Sequence, residues 1–158
     1  MVKFTSKQKS IERMDNMVLE EKKVKNICNF YVSEYHLEIM LLPYISDKID
    51  NEMKICIITE KNLSKTLDVV MNKVNLDIEK KEKIKKINWN NKKIENIEEN
   101  SNIILIGSQE FINTKLFEIK GKNVEILVCY DYNEVKNQMQ EIVLKYDRML
   151  NTLGINKI

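Results

Sequence analysis

Glycine is nearly missing from this chain: its 158 residues hold three, Gly107, Gly121 and Gly154. That scarcity excludes the glycine-built phosphate cradles. Neither G-x-x-x-x-G-K-[ST] nor G-x-G-x-x-G occurs, and no G-x-S-x-G nucleophile elbow is present. His36 is the single histidine, so no two-histidine metal site can form within one chain. Cys28, Cys56 and Cys129 are far apart, odd in number and without a C-x-x-C pair. Each lies in an apolar, strand-like run where a thiol behaves as a small hydrophobe, which argues against a disulfide framework or a zinc site. No apolar run approaches the roughly 20 residues needed to cross a bilayer. Met1–Met17 has no apolar core of the secretory kind. The expectation is a cytoplasmic protein with no membrane partner. Charge of one sign is also lacking. With 26 basic and 24 acidic residues the net charge is +2, too little for a global attraction to nucleic acid or anionic lipid.

What is present suits one folded domain. The length fits a single unit, and a hydrophobic content of 43% supplies a core. The chain favours Lys, Asn and Ile over Gly, Pro and Ala, a bias typical of low-GC genomes and pointing to a bacterial source. "KKEKIKK", Lys80 to Lys86, is the one strongly basic stretch. It reads first as a solvated helix face or loop. A nucleic-acid patch is its alternative, because phosphate contacts need clustered Lys and Arg; nucleic acid is not the expected partner.

Along the chain, Ile11, Met14, Met17 and Val18 recur at helical steps, predicting an amphipathic helix within residues 1–24 that packs on the domain or on a second copy. Residues 25–158 then form one α/β domain. "NICNFYV", Asn26 to Val32, reads as a buried strand. Ser33 is placed to cap the following helix, whose Leu37, Met40, Leu41, Tyr44 and Ile45 share a face. Pro43 is expected to kink or end that helix near Leu42. "MKICIIT", Met53 to Thr59, is a second strand, followed by a helix with Leu63, Leu67, Val70, Met71 and Val74 inward. Leu76 to Asn100 is harder to read; Ile84–Trp89 fits a short strand, and the stretch after it one or two helical turns. Asn102–Gly107 is a third strand, leading to a helix capped by Ser108, and Val124–Asp131 a fourth. Val135, Met139, Ile142, Tyr146, Met149 and Leu153 are spaced 4, 3, 4, 3, 4. They predict a long C-terminal helix over Asn133–Leu153, serving either as a core helix or as a dimer seam.

Continuous apolar strands alternating with helices imply a mostly parallel sheet covered on both faces, a three-layer Rossmann-like α/β domain. In such sheets ligands bind beyond the carboxyl ends of the strands. That rule gathers Tyr31, Glu34 and His36 from the first strand end, Glu60 from the second, Ser108 and Glu110 from the third and Asp131 from the fourth as candidate ligand-binding residues. The rim is polar and acidic, a poor host for triphosphate without a neutralising metal. Plainer roles compete at each position. Ser108 suits a helix cap, and Glu60 and Glu110 suit first-turn acids that favour the helix dipole. His36 suits a half-exposed surface imidazole.

"NICNFY" (Asn26–Tyr31), a helix ending "LLPYI" (Leu41–Ile45), "DNEMKICIIT" (Asp50–Thr59) and "VEILVCYDYNEV" (Val124–Val135) together resemble the MEDS domain, a sensory domain of methanogen and methylotroph regulators. The resemblance covers Lys25 to about Leu153. This chain has Asn26 where that pattern opens with histidine, Asn51-Glu52 in place of a Gly-Glu turn, and a closing strand one residue shorter at Cys129-Tyr130-Asp131. The resemblance implies a RecA/KaiC-like core without a working phosphate loop, binding or sensing instead of hydrolysing. The residues before Lys25 are too few for a helix-turn-helix module, so such a protein would act through a separate partner or as a homodimer through its terminal helices. The leading expectation is therefore a non-catalytic sensory or regulatory module, with no cofactor, binding an unidentified small molecule or a regulatory protein. The alternative is a small hydrolase built on His36, Glu60, Glu110 and Asp131, metal-assisted through its carboxylates.

Overall fold

The computed structural model describes residues 26–158, so the helix expected within residues 1–24 lies outside the described residues. In order, the elements are β1 (Asn26–Tyr31), α1 (Glu34–Asp50), β2 (Ile55–Thr59), α2 (Ser64–Lys73), α3 (Ile78–Lys86), β3 (Asn102–Gly107), α4 (Gln109–Ile119) and β4 (Glu125–Asp131). Two short helical segments, α5 (Tyr132–Val135) and α6 (Met139–Val143), lead to β5 (Arg148–Asn151) and β6 (Gly154–Lys157). The strands make one six-stranded sheet in the order β2-β3-β4-β1-β5-β6. All neighbours are parallel except the β5–β6 hairpin. This is an α/β, mostly parallel, Rossmann-like architecture.

The four strands expected from apolar runs are all present, and β3 is buried along its whole length. Such strands have no solvated face because helices cover both sides. On one side α1, α2 and α3 seal Ile27, Tyr31, Ile57, Ile104, Leu127 and Cys129. On the other, α4, α5 and α6 seal Cys28, Ile58, Leu105, Val128 and Tyr130. Ser33 and Ser108 cap α1 and α4, accepting from the His36 and Phe111 amides. Such a cap is worth about 1 kcal/mol.

Four expectations are corrected. Pro43 neither ends nor divides α1, which runs unbroken from Glu34 to Asp50. The residue is exposed, so the Ile39 carbonyl that loses its partner lies on the side open to water. Buried Leu41, Leu42, Tyr44 and Ile45 hold the helix down on either side of it. Ile84–Trp89 is not a strand: Ile84 belongs to α3, and buried Trp89 returns its indole N–H to the Ile84 carbonyl at 2.9 Å. The stretch after it, through Asn100, holds no helix. The long C-terminal helix does not form either. Its seam breaks after Val135, and Met149 and Leu150 become strand instead, because β1 offers a second hydrogen-bonding edge that a helix would leave unsatisfied. Gly154, at φ +104°, turns the chain into β6. With that helix gone, the described residues hold no C-terminal helical dimer seam.

The path from β2 to β3 explains why residues 76–100 are hard to read from sequence. From β1 the chain moves three places across the sheet to β2 with α1 on one face, then steps back toward β1. A right-handed return requires the opposite face. Helices α2 and α3 stay on α1's face. The chain then runs past the β2 edge, where the Asn91 carbonyl accepts from Thr59 N–H at 2.7 Å. Ile94 and Ile97 pack on the other face before β3 begins. One connection thus serves two layers, and its apolar residues follow neither a helical nor a strand period.

Candidate functional site

β1 and β4 are neighbours in the sheet, with Tyr31 beside Asp131 in register, yet the segments that follow them leave on opposite faces. This divergence is where an open α/β sheet places its ligand crevice. The rim beyond the strand ends therefore holds the sequence-predicted residues, and their bonds define what it can do.

At the end of β1 the turn closes on itself. The Val32 N–H donates to His36 Nδ1 at 3.1 Å, and the His36 N–H donates to Ser33 Oγ at 3.1 Å. Nδ1 is thus an acceptor, which fixes the ring's orientation. Glu34 occupies the first helical turn, putting a negative charge where a phosphate would sit on the helix N-terminus. Tyr31 is buried beneath this turn. Burial, followed by Cys129, Asp131, Glu134 and Glu34, pushes its hydroxyl well above the usual range, so it stays protonated.

At the ends of β2 and β3, Glu60 and Ser108 are joined directly. The Ser108 N–H and Oγ–H donate to Glu60 Oε1 and Oε2 at 2.9 and 3.3 Å. The same Ser108 oxygen caps α4 at Phe111 N–H. Gly107 is required here by close approach: an added Cβ would lie 2.6 Å from Phe111 Cδ1 and 3.0 Å from Glu60 Cβ. Glu110 stands apart, exposed in the first turn of α4, with only its carbonyl engaged, by Thr114. At the end of β4, Asp131 Oδ1 caps α5 by accepting from Asn133 N–H at 3.0 Å. Its other oxygen lies 3.9 Å from Lys61 Nζ. Because β3 lies between β2 and β4, Lys61 reaches across it, bringing the β2 and β4 ends together. Ser108, Glu60 and Asp131 thus spend their polar atoms on the fold, while Glu110 joins no rim bond.

Three charged residues outside the expected set join neighbouring elements. Lys61 is the rim cation just described. Glu38, one turn further along α1 than Glu34, is fully buried. Its Oε1 accepts from Thr66 Oγ1 of α2, while Oε2 has no partner among the described residues. Desolvation raises its pKa from the ordinary 4.5 to about 7; the Thr66 bond opposes the rise and Glu34 adds to it. Its signal in the sequence is an acid on the apolar stripe Glu38, Leu41, Leu42, Ile45. Glu125, at the opposite end of β4, gathers Tyr44, Lys48 and Arg148. No spacing signal announces it, because those partners come from α1 and β5.

Among the described residues no group of three or more His, Cys, Asp or Glu side chains is placed to hold a metal ion. No helix there is long and apolar enough to cross a membrane. Three concavities among the described residues lie at the β2 edge, between α1 and α3, and on α6, and none of these three is lined by a rim residue. Comparison with protein-family models, with curated proteins and with solved structures finds no match to this chain.

Proposed function

We propose that this chain is a non-catalytic sensory or regulatory module: a degenerate nucleotide-binding core, RecA-like and of the MEDS kind, that acts by binding a small molecule or a protein. The observation that carries this reading is the β1–α1 turn. It stands in the position of a phosphate loop, but its Val32 and His36 amides are consumed locally and its first helical residue is an acid. A phosphate-binding turn needs the reverse, free amide donors and a cation. The other rim groups argue against catalysis for a related reason. A general acid or base must reach a substrate proton, whereas Asp131 and Glu60 are held by Asn133, Lys61 and Ser108.

The competing hydrolase predicts turnover that depends on these carboxylates. Purified chain, Asp131→Asn and Glu60→Gln are assayed side by side on chromogenic phosphoester, carboxyl ester and glycoside substrates, with and without Mg2+ or Mn2+. No turnover above buffer is expected from any of the three. Turnover by the parent chain that either substitution abolishes, at an unchanged melting midpoint, would replace the binding reading with the hydrolase.

A further inference from the structure

The outer edge of the sheet carries a groove of about 360 Å³, lined by Ile55, Cys56 and Ile57 of β2, by Lys83, Lys86 and Ile87 at the end of α3, and by Asn88 and Asn91. Two independent features of this groove specify an occupant. The first is main-chain. Glu60 N–H bonds the Ile106 carbonyl, and the Lys54 carbonyl accepts from Asn102 N–H, each at 2.9 Å. Even-numbered residues of β2 therefore face β3, and odd-numbered residues turn their N–H and C=O groups outward. The protein already uses that outward row once, at Thr59 to Asn91. At Ile55 and Ile57 the row has no partner among the described residues. An open row of alternating donors and acceptors beside a groove fits an extended chain added as a strand.

The second feature is charge. Lys86 makes no ion pair among the described residues, and Lys83 has only the loose i,i+4 contact with Glu79 at 3.8 Å. No acid lines the groove. Two copies meeting edge to edge along β2 would bring their lysine walls together, and like charges disfavour that arrangement. Opposite charge favours an acidic partner. We propose that the β2 edge groove takes an extended acidic peptide segment of another protein as an added strand along Ile55–Ile57, with its carboxylates against Lys83 and Lys86.

The probe is a short, fluorescein-labelled peptide of alternating glutamate and valine, titrated with the full chain and followed by anisotropy. Saturable binding with a Kd below about 1 mM is expected. A Lys83→Glu/Lys86→Glu variant should weaken it at least about tenfold, as should N-methylation of alternate peptide amides, which keeps the charge and removes the donors. The bound peptide should slow exchange of the Ile55 and Ile57 amides and shield Cys56 from iodoacetamide. Absence of saturation to about 1 mM overturns the proposal, as does affinity unchanged by N-methylation, which would mean charge attraction alone. A dimer of the chain in which Cys56 is shielded without peptide would assign the groove to a second copy and overturn it equally.

Discussion

Glu38→Gln is expected to make the protein more stable at pH 8 by about 2–3 kcal/mol, while changing little near pH 5. The Glu38 carboxyl group has no access to water, and one of its oxygens is unpartnered among the described residues. Burial opposes its ionisation, and its pKa rises from 4.5 to about 7. In the unfolded chain the proton leaves near pH 4.5, whereas the folded protein retains it to about pH 7. The folded state therefore binds more protons across that window, and stability falls as pH rises through it. A tenfold difference in proton affinity between the two states is worth about 1.4 kcal/mol. The contribution of the protonated group is complete below pH 4.5 and lost above about pH 7. Glutamine keeps the acceptor for Thr66 Oγ1 and cannot ionise, so the loss should not occur in the variant. Urea unfolding of both proteins at pH 5 and pH 8 reads the difference, and the titrations of all other groups cancel in the comparison. A stability difference that is the same at both pH values would mean that Glu38 does not titrate in this range. The group joins α1 to α2 just below the rim, so any ligand that changed its protonation would be linked to the packing of those helices.

Glu125→Gln is expected to cost about 2–3 kcal/mol, for the opposite reason. Here a carboxylate is held where it is wanted. Oε2 accepts from Tyr44 Oη at 2.8 Å and pairs with Lys48 Nζ at 2.7 Å, while Oε1 faces Arg148 Nη2 at 3.4 Å. The side chains of Glu125 and Lys48 are only 22% and 14% exposed. Removing the anion leaves a cation partly desolvated without its charge partner, which is the expensive way to break a buried pair. The cluster also ties the second half of α1 to the amino ends of β4 and β5, so its loss acts on three elements. The Lys54–Glu98 pair is the internal control. Its side chains are 66% and 61% exposed, and such surface pairs are worth about 0–1 kcal/mol. Thermal unfolding at pH 7 should therefore lower the midpoint by several degrees in Glu125→Gln and barely move it in Glu98→Gln. Equal shifts would contradict the assignment.

What the sequence discloses depends on whether a signal is local. The β1–β4 runs are apolar and β-branched over several residues, so the sheet's parallel centre is readable, as are the Ser33 and Ser108 caps. Elements whose conformation depends on distant chain are not. Met149 and Leu150 fit a heptad as well as a strand, and only the unpaired edge of β1 decides between the two. Pro43 breaks an isolated helix but not one pinned to a sheet. Ile84, Trp89, Ile94 and Ile97 serve two faces of the sheet, so no single period describes them. The rim follows the same division. The strand-end rule places Tyr31, Glu34, His36, Glu60, Ser108, Glu110 and Asp131 on one edge. It cannot disclose that Glu60 meets Ser108, 48 residues away, or that His36 takes the Val32 amide. Those bonds turn a set of chemically capable side chains into a largely self-satisfied surface.

The β1–α1 turn, despite its position, is expected to hold no nucleotide phosphate. Isothermal titration of the full chain with Mg-ATP and Mg-GTP at low ionic strength tests it most directly. No saturable heat is expected up to about 1 mM nucleotide, the weak end of the affinity scale. Stoichiometric binding with a Kd below about 100 μM, weakened when Ser33 is changed to alanine, would contradict it.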